Sequence, residues 1–296
     1  MKIKSTEIDK TFAEAFSLWG ARIIITAETT EWAKTAAYSM TGFATSIIGC
    51  GCEAGIETEL AKTKTPDKRP GVSVLFFTLD KKNIQERLVE RIGQCVMTCP
   101  TTSCYNGLND SEETVNVGGQ LRYFGDSFQI SKKLNGQRFW RIPVMDGEFV
   151  IEEEFKVQKS VGGGNIFLLG ENPDVTLQAA KDAAQSMRKI SGVILPFPDG
   201  VVRSGSKVGS KYKALPASTN HAFCPTLKGI VEDTSLDDDV NCVLEIVVDG
   251  LNEKAVKNAM RAGIKTAARK GIKKITAGNY GGKLGQYKIN LHDILK

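Results

Sequence analysis

Residues 242–278, CVLEIVVDGLNEKAVKNAMRAGIKTAARKGIKKITAG, contain three elements that their periodicity identifies. The run 242–250 is rich in branched apolar residues and is typical of a strand, whereas 251–270 places apolar residues at helical spacing. The short run 273–278 is typical of a second strand. The stretch therefore predicts one β-α-β unit.

A second β-α-β unit precedes it in the same half of the chain. The run 165–170 predicts a strand, and 172–190 predicts a helix that begins with Asn172 and Pro173, two residues favoured at helix starts. Its apolar stripe comprises Leu177, Ala180, Ala184 and Met187. Residues 192–197 complete the unit as a predicted strand.

The N-terminal half shows the same order of elements. Its predicted strands are 21–27, 44–50, 72–79, 121–130 and 138–145, and its predicted helices are 29–40 and 79–98. Two β-α-β units per half are the split pattern of a ferredoxin-like domain. We therefore expect an α+β fold with two tandem ferredoxin-like lobes from an internal duplication, comprising residues 1–147 and 148–296.

The composition is that of an ordinary globular protein. Of the 296 residues 41% are hydrophobic and 25% are charged, which excludes a disordered or disulfide-scaffold chain. The net charge of +5 is spread along the sequence, so nucleic-acid binding is not expected. The apolar runs are strand-sized, so no membrane span is expected, and acids such as Glu7 and Asp9 near the N-terminus favour a cytoplasmic protein.

Metal binding is not predicted either. The seven cysteines are scattered and only two histidines, His221 and His292, are present. Cys50 and Cys52 could ligate a metal, but no second cluster completes a site, so small buried thiols are the favoured interpretation.

Glu245 is the first candidate for chemistry. In the predicted strand 242–250 it is the one carboxylate among residues 242–248, which are otherwise apolar. Loss of hydration there would raise its pKa and make it a general acid or base. The alternative is a solvated or interface position at which Glu245 pairs with a lysine or arginine.

Three glycine-rich segments, 196–213, 276–286 and 161–165, are the candidates for binding. Small residues let backbone N–H groups approach a ligand, and neighbouring lysines supply positive charge. The alternative is turns that need positive φ. The candidate substrate-binding residues are Ser206, Lys207, Asn279, Tyr280, Gly281, Gly282, Lys283 and, near the hydroxyl-rich end of the helix 79–98, Gln94.

Several longer motifs extend over the whole chain. They include TFAEAF, TGFATS, RIGQCVMT, PFPDG, EIVVDGLNEKAVK and ITAGNYGGKLGQY. With these motifs the chain resembles the formylmethanofuran:tetrahydromethanopterin formyltransferases. The resemblance implies two ferredoxin-like lobes, no permanently bound cofactor, a homo-oligomer that is commonly a tetramer, and a catalytic glutamate that matches Glu245.

The resemblance also implies a reaction. A formyl group would move between the amine of a methanofuran-type carrier and N5 of tetrahydromethanopterin, by direct attack through a tetrahedral intermediate, because no serine or cysteine has an obvious partnered base. Lys207 and Lys283 would meet the anionic ends of the carriers.

Some positions depart from the methanogen pattern. Asp199 and Arg203 replace small residues and Cys99 replaces an alanine, which is more similar to bacterial members that form a subunit of a formyltransferase/hydrolase complex. Hydrolase-type partner subunits are therefore expected as an alternative to a stand-alone tetramer. A second function class is a non-catalytic small-molecule-binding or scaffold subunit of a one-carbon enzyme complex.

Overall fold

The computed structural model describes residues 1–296 as a mixed α/β chain. The helices are α1 (Thr30–Thr41), α2 (Ile47–Cys50), α3 (Lys81–Arg91), α4 (Gly118–Leu121), α5 (Pro173–Met187), α6 (Glu253–Ala267) and α7 (Leu291–Leu295). The strands are β1 (Lys2–Ile3), β2 (Thr6–Ile8), β3 (Phe12–Thr26), β4 (Glu53–Leu60), β5 (Gly71–Thr78), β6 (Ser103–Asn106), β7 (Thr114–Asn116), β8 (Ile130–Leu134), β9 (Gln137–Val144), β10 (Gly147–Glu152), β11 (Glu154–Lys156), β12 (Gln158–Gly170), β13 (Val193–Ile194), β14 (Ser206–Val208), β15 (Ala217–Thr219), β16 (Cys242–Gly250), β17 (Ile272–Thr276) and β18 (Tyr287–Asn290). Fourteen strands form one mixed sheet. None of the helices has the length and apolar character that a membrane crossing requires.

Residue contacts divide the chain into two compact units. Unit 1 comprises residues 1–16, 162–249 and 253–296, and unit 2 comprises residues 17–161 and 250–252. The first sixteen residues thus belong with the C-terminal part of the chain. This grouping differs from a cut at residue 147, and the two-lobe boundary stays a prediction.

Unit 1 places helices on one face of its strands and a long connection on the other. On the helical side, a Cβ at Gly164 of β12 would lie 2.5 Å from Val256 of α6, so the helix packs directly on the backbone. On the opposite side, Phe167 of β12 and Val243 of β16 pack against Leu236 and other residues of the connection 195–241. Because strand side chains alternate, Glu245 shares the face of Val243.

In unit 2, β5 lies between β4 and β3, and the order continues through β6, β10 and β9 to β8. Strand β5 is buried along its whole length. Helix α1 and helix α3 bury residues such as Met40 and Leu88 in the same apolar core. The alternating apolar residues of the sequence are therefore sufficient to form this sheet and its helical cover.

Most of the predicted elements are confirmed. Helix α5 begins as expected, because the side chain of Asn172 accepts a hydrogen bond from the N–H of Val175 at 3.0 Å and Pro173 opens the first turn. The predicted stripe holds for Ala180, Ala184 and Met187, whereas Leu177 is 48% exposed. The helix predicted over 79–98 is α3 followed by a π-helical turn, Ile92–Val96.

Four predicted elements differ from the structure. Residues 44–50 are mostly a turn and the short helix α2, because Ser46 and the positive φ of Gly51 bound one helical turn there. Residues 121–130 are mainly helical turns, ended by positive φ at Asp126 and Ser127. Within 192–197 only β13 forms, since the nearby prolines lack the N–H that a ladder needs. The predicted loop 161–165 lies inside β12, where Gly164 leaves room for helix α6.

Candidate active site

The backbone of Glu245 is held by the segment that follows β13. The N–H of Val202 donates to the Glu245 carbonyl at 2.7 Å, and the N–H of Glu245 donates to the Val202 carbonyl at 2.9 Å. This short antiparallel bridge places the segment beside β16. The side chain of Glu245 therefore emerges next to the glycine-rich residues that begin at Arg203.

The carboxyl group of Glu245 lines a small cavity of about 40 Å³. The other lining residues are Phe167, Val202, Arg203, Gly205, Thr219, Asn220, Phe223, Cys224 and Val243. The structure shows no hydrogen-bond or ion-pair partner for this carboxyl group, and burial raises its pKa to about 7. The pKa shift has the direction expected from the sequence, and within this chain no lysine or arginine pairs with the carboxyl group.

The wall of the cavity opposite Glu245 is a two-stranded ribbon. Strands β14 and β15 pair so that Ser206 lies opposite Thr219 and Lys207 opposite Ser218. A Cβ at Gly205 would lie 3.2 Å from Oε2 of Glu245, so the glycine leaves room beside the carboxyl group. The predicted binding residues Ser206 and Lys207 thus follow Gly205, the residue that borders the Glu245 carboxyl group.

A second glycine-rich segment, which we call the glycine turn (residues 279–286), is wrapped around Glu14. The N–H groups of Tyr280 and Gly282 donate to its Oε2 at 2.6 and 2.8 Å. Those of Leu284 and Gly285 donate to its Oε1 at 2.6 Å each. Burial opposes ionisation of Glu14, but the four bonds prevail and lower its pKa to about 2.

Two further polar groups of the glycine turn, the Gly281 N–H and the Asn279 side chain, also have partners. The N–H of Gly281 donates to Oδ1 of Asn279 at 3.1 Å, and the Asn279 amide donates to the Phe12 carbonyl at 3.2 Å. Gly281 and Gly282 have φ of 69° and 72°, so the interpretation as a positive-φ turn is confirmed. The backbone N–H groups that we expected to meet a ligand are already occupied by side chains of the protein.

Tyr280 connects the glycine turn with the Glu245 region. Its ring packs on Phe16 with centroids 6.4 Å apart and is tilted by 53°. Burial and the charges of Glu245 and Glu14 raise the pKa of its phenol. The structure therefore brings Tyr280 and Glu245 into one electrostatic environment.

The remaining predicted residues lie elsewhere. Lys283 is exposed on the glycine turn. Gln94 belongs to unit 2, is exposed on the π-helical turn and does not line the Glu245 cavity. His221 pairs with Asp233 at 2.8 Å, and no group of three or more His, Cys, Asp or Glu residues is arranged to hold a metal ion.

The sequence analysis did not select two other glutamates, Glu14 and Glu152, whose pKa values are also shifted. Glu14 carries the same signal as Glu245, a carboxylate within an apolar strand, so the sequence does indicate it. Glu152 of unit 2 is buried, and burial raises its pKa to about 7 although the N–H of Asn106 donates to it at 3.2 Å. Glu152 lies in the acidic run GEFVIEEEF, which is typical of a solvated face, so no sequence signal selects it.

A mixed α/β fold that places a carboxyl group of raised pKa beside a glycine-rich segment fits the class of enzymes that use acid–base chemistry. The family described as "Formylmethanofuran-tetrahydromethanopterin formyltransferase" matches residues 1–144, and its "proximal lobe" matches residues 147–294. The chain belongs to this formyltransferase family and is a transferase.

Relatives of this name occur in bacteria and archaea. The enzyme of Methylobacillus flagellatus is 55% identical and that of Methanocaldococcus jannaschii 48% identical, each over 100% of both chains. The solved Methanosarcina barkeri formyltransferase is 47% identical, has a TM-score of 0.94 and matches over 99% of this chain and 100% of its own. A chain of the Methylorubrum extorquens formyltransferase/hydrolase complex, solved with methylofuran, is 46% identical with a TM-score of 0.97, over 100% of this chain and 99% of its own.

Proposed function

We propose that this formyltransferase moves a formyl group between the amine of a methanofuran-type carrier and N5 of tetrahydromethanopterin, with Glu245 as the group that exchanges protons. The observation that carries the proposal is the unpartnered carboxyl group of Glu245, whose pKa of about 7 lets it give and take a proton near neutrality. The substrates are those in the names of the full-length relatives. Both carriers act as substrates, and the proposal needs no permanently bound cofactor.

The proposed reaction is a direct acyl transfer. The accepting amine attacks the formyl carbon, so a new C–N bond forms and the carbonyl oxygen becomes the oxyanion of a tetrahedral intermediate. Protonated Glu245 stabilises that oxygen by a hydrogen bond and then gives its proton to the departing nitrogen as the old C–N bond breaks. The carboxylate regains a proton from the nitrogen that attacked, so charge and protons balance.

The cavity offers no better nucleophile. Cys224 is its only thiol, and the Cys224 Sγ contacts the Thr219 hydroxyl at 3.4 Å and the Asn220 carbonyl at 3.5 Å. No imidazole or carboxylate contacts this sulfur to activate it. These contacts support direct attack on the formyl carbon without an acyl-enzyme.

We assign the binding roles to the predicted polar residues. Lys207 and Lys283 have no ion-pair partner and are available for anionic ends of the carriers. Ser206 and Tyr280 flank the Glu245 region, and Gln94 is proposed from unit 2. The N–H groups of Gly281 and Gly282 already bind side chains of the protein, so these groups do not meet a substrate. Asn279, Gly281 and Gly282 therefore contribute to binding by setting the shape of the glycine turn.

We also propose the organisation of the protein. The separate matches of residues 1–144 and 147–294 support two lobes divided near residue 147, each ferredoxin-like. The similarity to a chain of a formyltransferase/hydrolase complex supports assembly with hydrolase-type subunits, and a homotetramer is the alternative. A cytoplasmic location follows from the same proposal.

Replacement Glu245→Gln tests the central role. We expect kcat for formyl transfer from a furfurylformamide-type donor to tetrahydromethanopterin to fall about 10²- to 10⁴-fold, as for loss of a general acid–base group. For the parent enzyme, kcat/KM should fall as pH rises through about 7, because Glu245 then loses its proton. Glu7→Gln removes an exposed carboxylate of the same unit and should keep full activity. Near-normal activity of Glu245→Gln would remove this residue from the mechanism, and no transfer by the parent would favour the non-catalytic alternative.

A further inference from the structure

The glycine turn is a built receptor for a carboxylate, and that receptor is filled by Glu14. Four backbone N–H groups converge on its two oxygens at 2.6–2.8 Å. Glu14 is 1% exposed. Such charge-assisted bonds from several N–H groups are short and strong, so they hold the glycine turn firmly against β3.

The glycine turn packs so closely on β3 and β18 that a side chain larger than hydrogen does not fit at Gly285 or Gly282 without movement of its neighbours. A Cβ at Gly285 would lie 2.5 Å from the Ala15 carbonyl and 2.7 Å from the Glu14 side chain. Lys288, which lies opposite Glu14 in the β18–β3 ladder, covers the place where a side chain at Gly282 would extend. The conformation of the turn is thus fixed from β3 and from β18.

Tyr280, the second residue of the glycine turn, is held by β3 at two points. The N–H of Tyr280 is one of the four donors to Glu14, while its ring rests on Phe16, two residues further along β3. Glu14 and Phe16 project from the same face of that strand. A Cβ at Gly278, two residues before Tyr280, would lie 3.0 Å from Phe167, which lines the Glu245 cavity. The charge of Glu245 contributes to the raised pKa of the Tyr280 phenol. One strand therefore holds both the backbone and the ring of a residue beside the proposed acid–base group.

We propose that Glu14 is a positioning residue for formyl transfer: by binding the glycine turn it fixes Tyr280 beside Glu245. This inference rests on the proposed role of Glu245 and extends the site to a residue that touches no substrate. It also assigns the N–H groups of the glycine turn to Glu14, so they do not form the site for a substrate oxyanion. Glu14 on β3 thus acts on the Glu245 region through Tyr280.

The variants Glu14→Gln, Tyr280→Ala and the double variant test the proposal, with Glu7→Gln as the matched exposed control. We expect Glu14→Gln to lower kcat roughly ten- to a hundredfold, the range for a small misplacement of a site residue. In the Tyr280→Ala background the same replacement should lower kcat less than about threefold, because the group it positions is gone. Equal losses in both backgrounds would show a merely structural role and overturn the proposal.

A readout independent of turnover separates this proposal from the role of Glu245. The phenol titration of Tyr280 is isolated as the difference in ultraviolet absorbance between the parent and Tyr280→Ala. The charge of Glu245 raises this pKa, so Glu245→Gln should shift the titration to lower pH in the parent. In the Glu14→Gln background the same replacement should shift it less, because the displaced phenol lies farther from Glu245. Equal shifts in both backgrounds overturn the placement of Tyr280 by Glu14, even if Glu245→Gln is inactive. Full activity of Glu245→Gln would instead refute the acid–base role alone.

Gly282→Ala guards against a Glu14→Gln variant that does not fold. It leaves the carboxylate in place but adds a methyl group where φ is 72° and where Lys288 lies. The displaced turn should lower kcat in the same direction, with KM for the carriers changing less than kcat. A loss confined to KM would identify the turn as a substrate contact and contradict positioning through Tyr280.

Discussion

Glu14 and Glu245 are glutamates of the same unit, both set in apolar strands, yet their surroundings drive their protonation in opposite directions. Glu14 receives four N–H donors, and its pKa falls from 4.5 to about 2. Glu245 receives none, and burial raises its pKa from 4.5 to about 7. Burial alone therefore does not make a carboxyl group reactive. The number of hydrogen-bond donors that meet it decides whether the ionised or the protonated form is favoured.

The largest expected effect is on stability at Glu14. The lowered pKa contributes roughly 3 kcal/mol above pH 4.5, which is lost as pH falls towards 2, and a glutamine also leaves N–H groups unpaired. Glu14→Gln should therefore lower the free energy of unfolding at pH 7 by about 3–5 kcal/mol. Urea titration measures this. A loss below about 1 kcal/mol, similar to that of Glu7→Gln, would break the comparison.

The next largest expected effect is at Glu245, where replacement should raise the free energy of unfolding instead of lowering it. Because the pKa of Glu245 is raised on folding, its ionisation costs stability as pH rises from 4.5 through 7. Glu245→Gln should raise the free energy of unfolding by about 2–3 kcal/mol at pH 8.5 and by roughly half of that at pH 5.5. Urea titration at the two pH values checks the difference. An inactive but destabilised variant at pH 8.5 would contradict an unpartnered carboxylate.

Gly205 sharpens the comparison by changing only the surroundings of Glu245. An alanine there would place its Cβ 3.2 Å from Oε2 and exclude water from the carboxyl group. We expect the pH at which kcat/KM declines to rise and kcat/KM itself to fall about tenfold, or ~1.4 kcal/mol. Gly229→Ala has open space at its Cβ and is the control. An unchanged pH profile would mean that Gly205 does not limit solvation of Glu245.

The smallest expected effect concerns the backbone of the glycine turn. Gly281 has φ of 69° and open space around its Cβ, so Gly281→Ala meets only the cost of the left-handed conformation. A loss of about 1 kcal/mol in thermal or urea unfolding is expected. Gly49→Ala, in helix α2 with equally open space, should be neutral. A neutral Gly281→Ala would show that the turn tolerates other conformations.

The sequence predicted the features that depend on neighbours along the chain. The cap of α5 by Asn172, the alternation of β16 and the raised pKa of Glu245 all follow from local order. Features that depend on distant residues were not predictable in this way. The glycine-rich residues 161–165 were expected to form a loop, but they lie in β12, and Val256 of a helix over residues 253–267 packs on Gly164. The glycine turn was expected to bind a ligand, but a carboxylate more than 260 residues earlier occupies it.

The position of Glu14 in the chain has a consequence for synthesis. Within unit 1, β2 pairs with β17 through Glu7 and Lys274, and the start of β3 pairs with β18 through Phe12 and Asn290. On a ribosome, the first sixteen residues emerge long before any of these partners exist. Unit 1 can close only after residues 272–290 have been made, whereas residues 17–161 of unit 2 are complete earlier. The carboxylate of Glu14 therefore gains its four N–H partners only when residues 280–285 arrive.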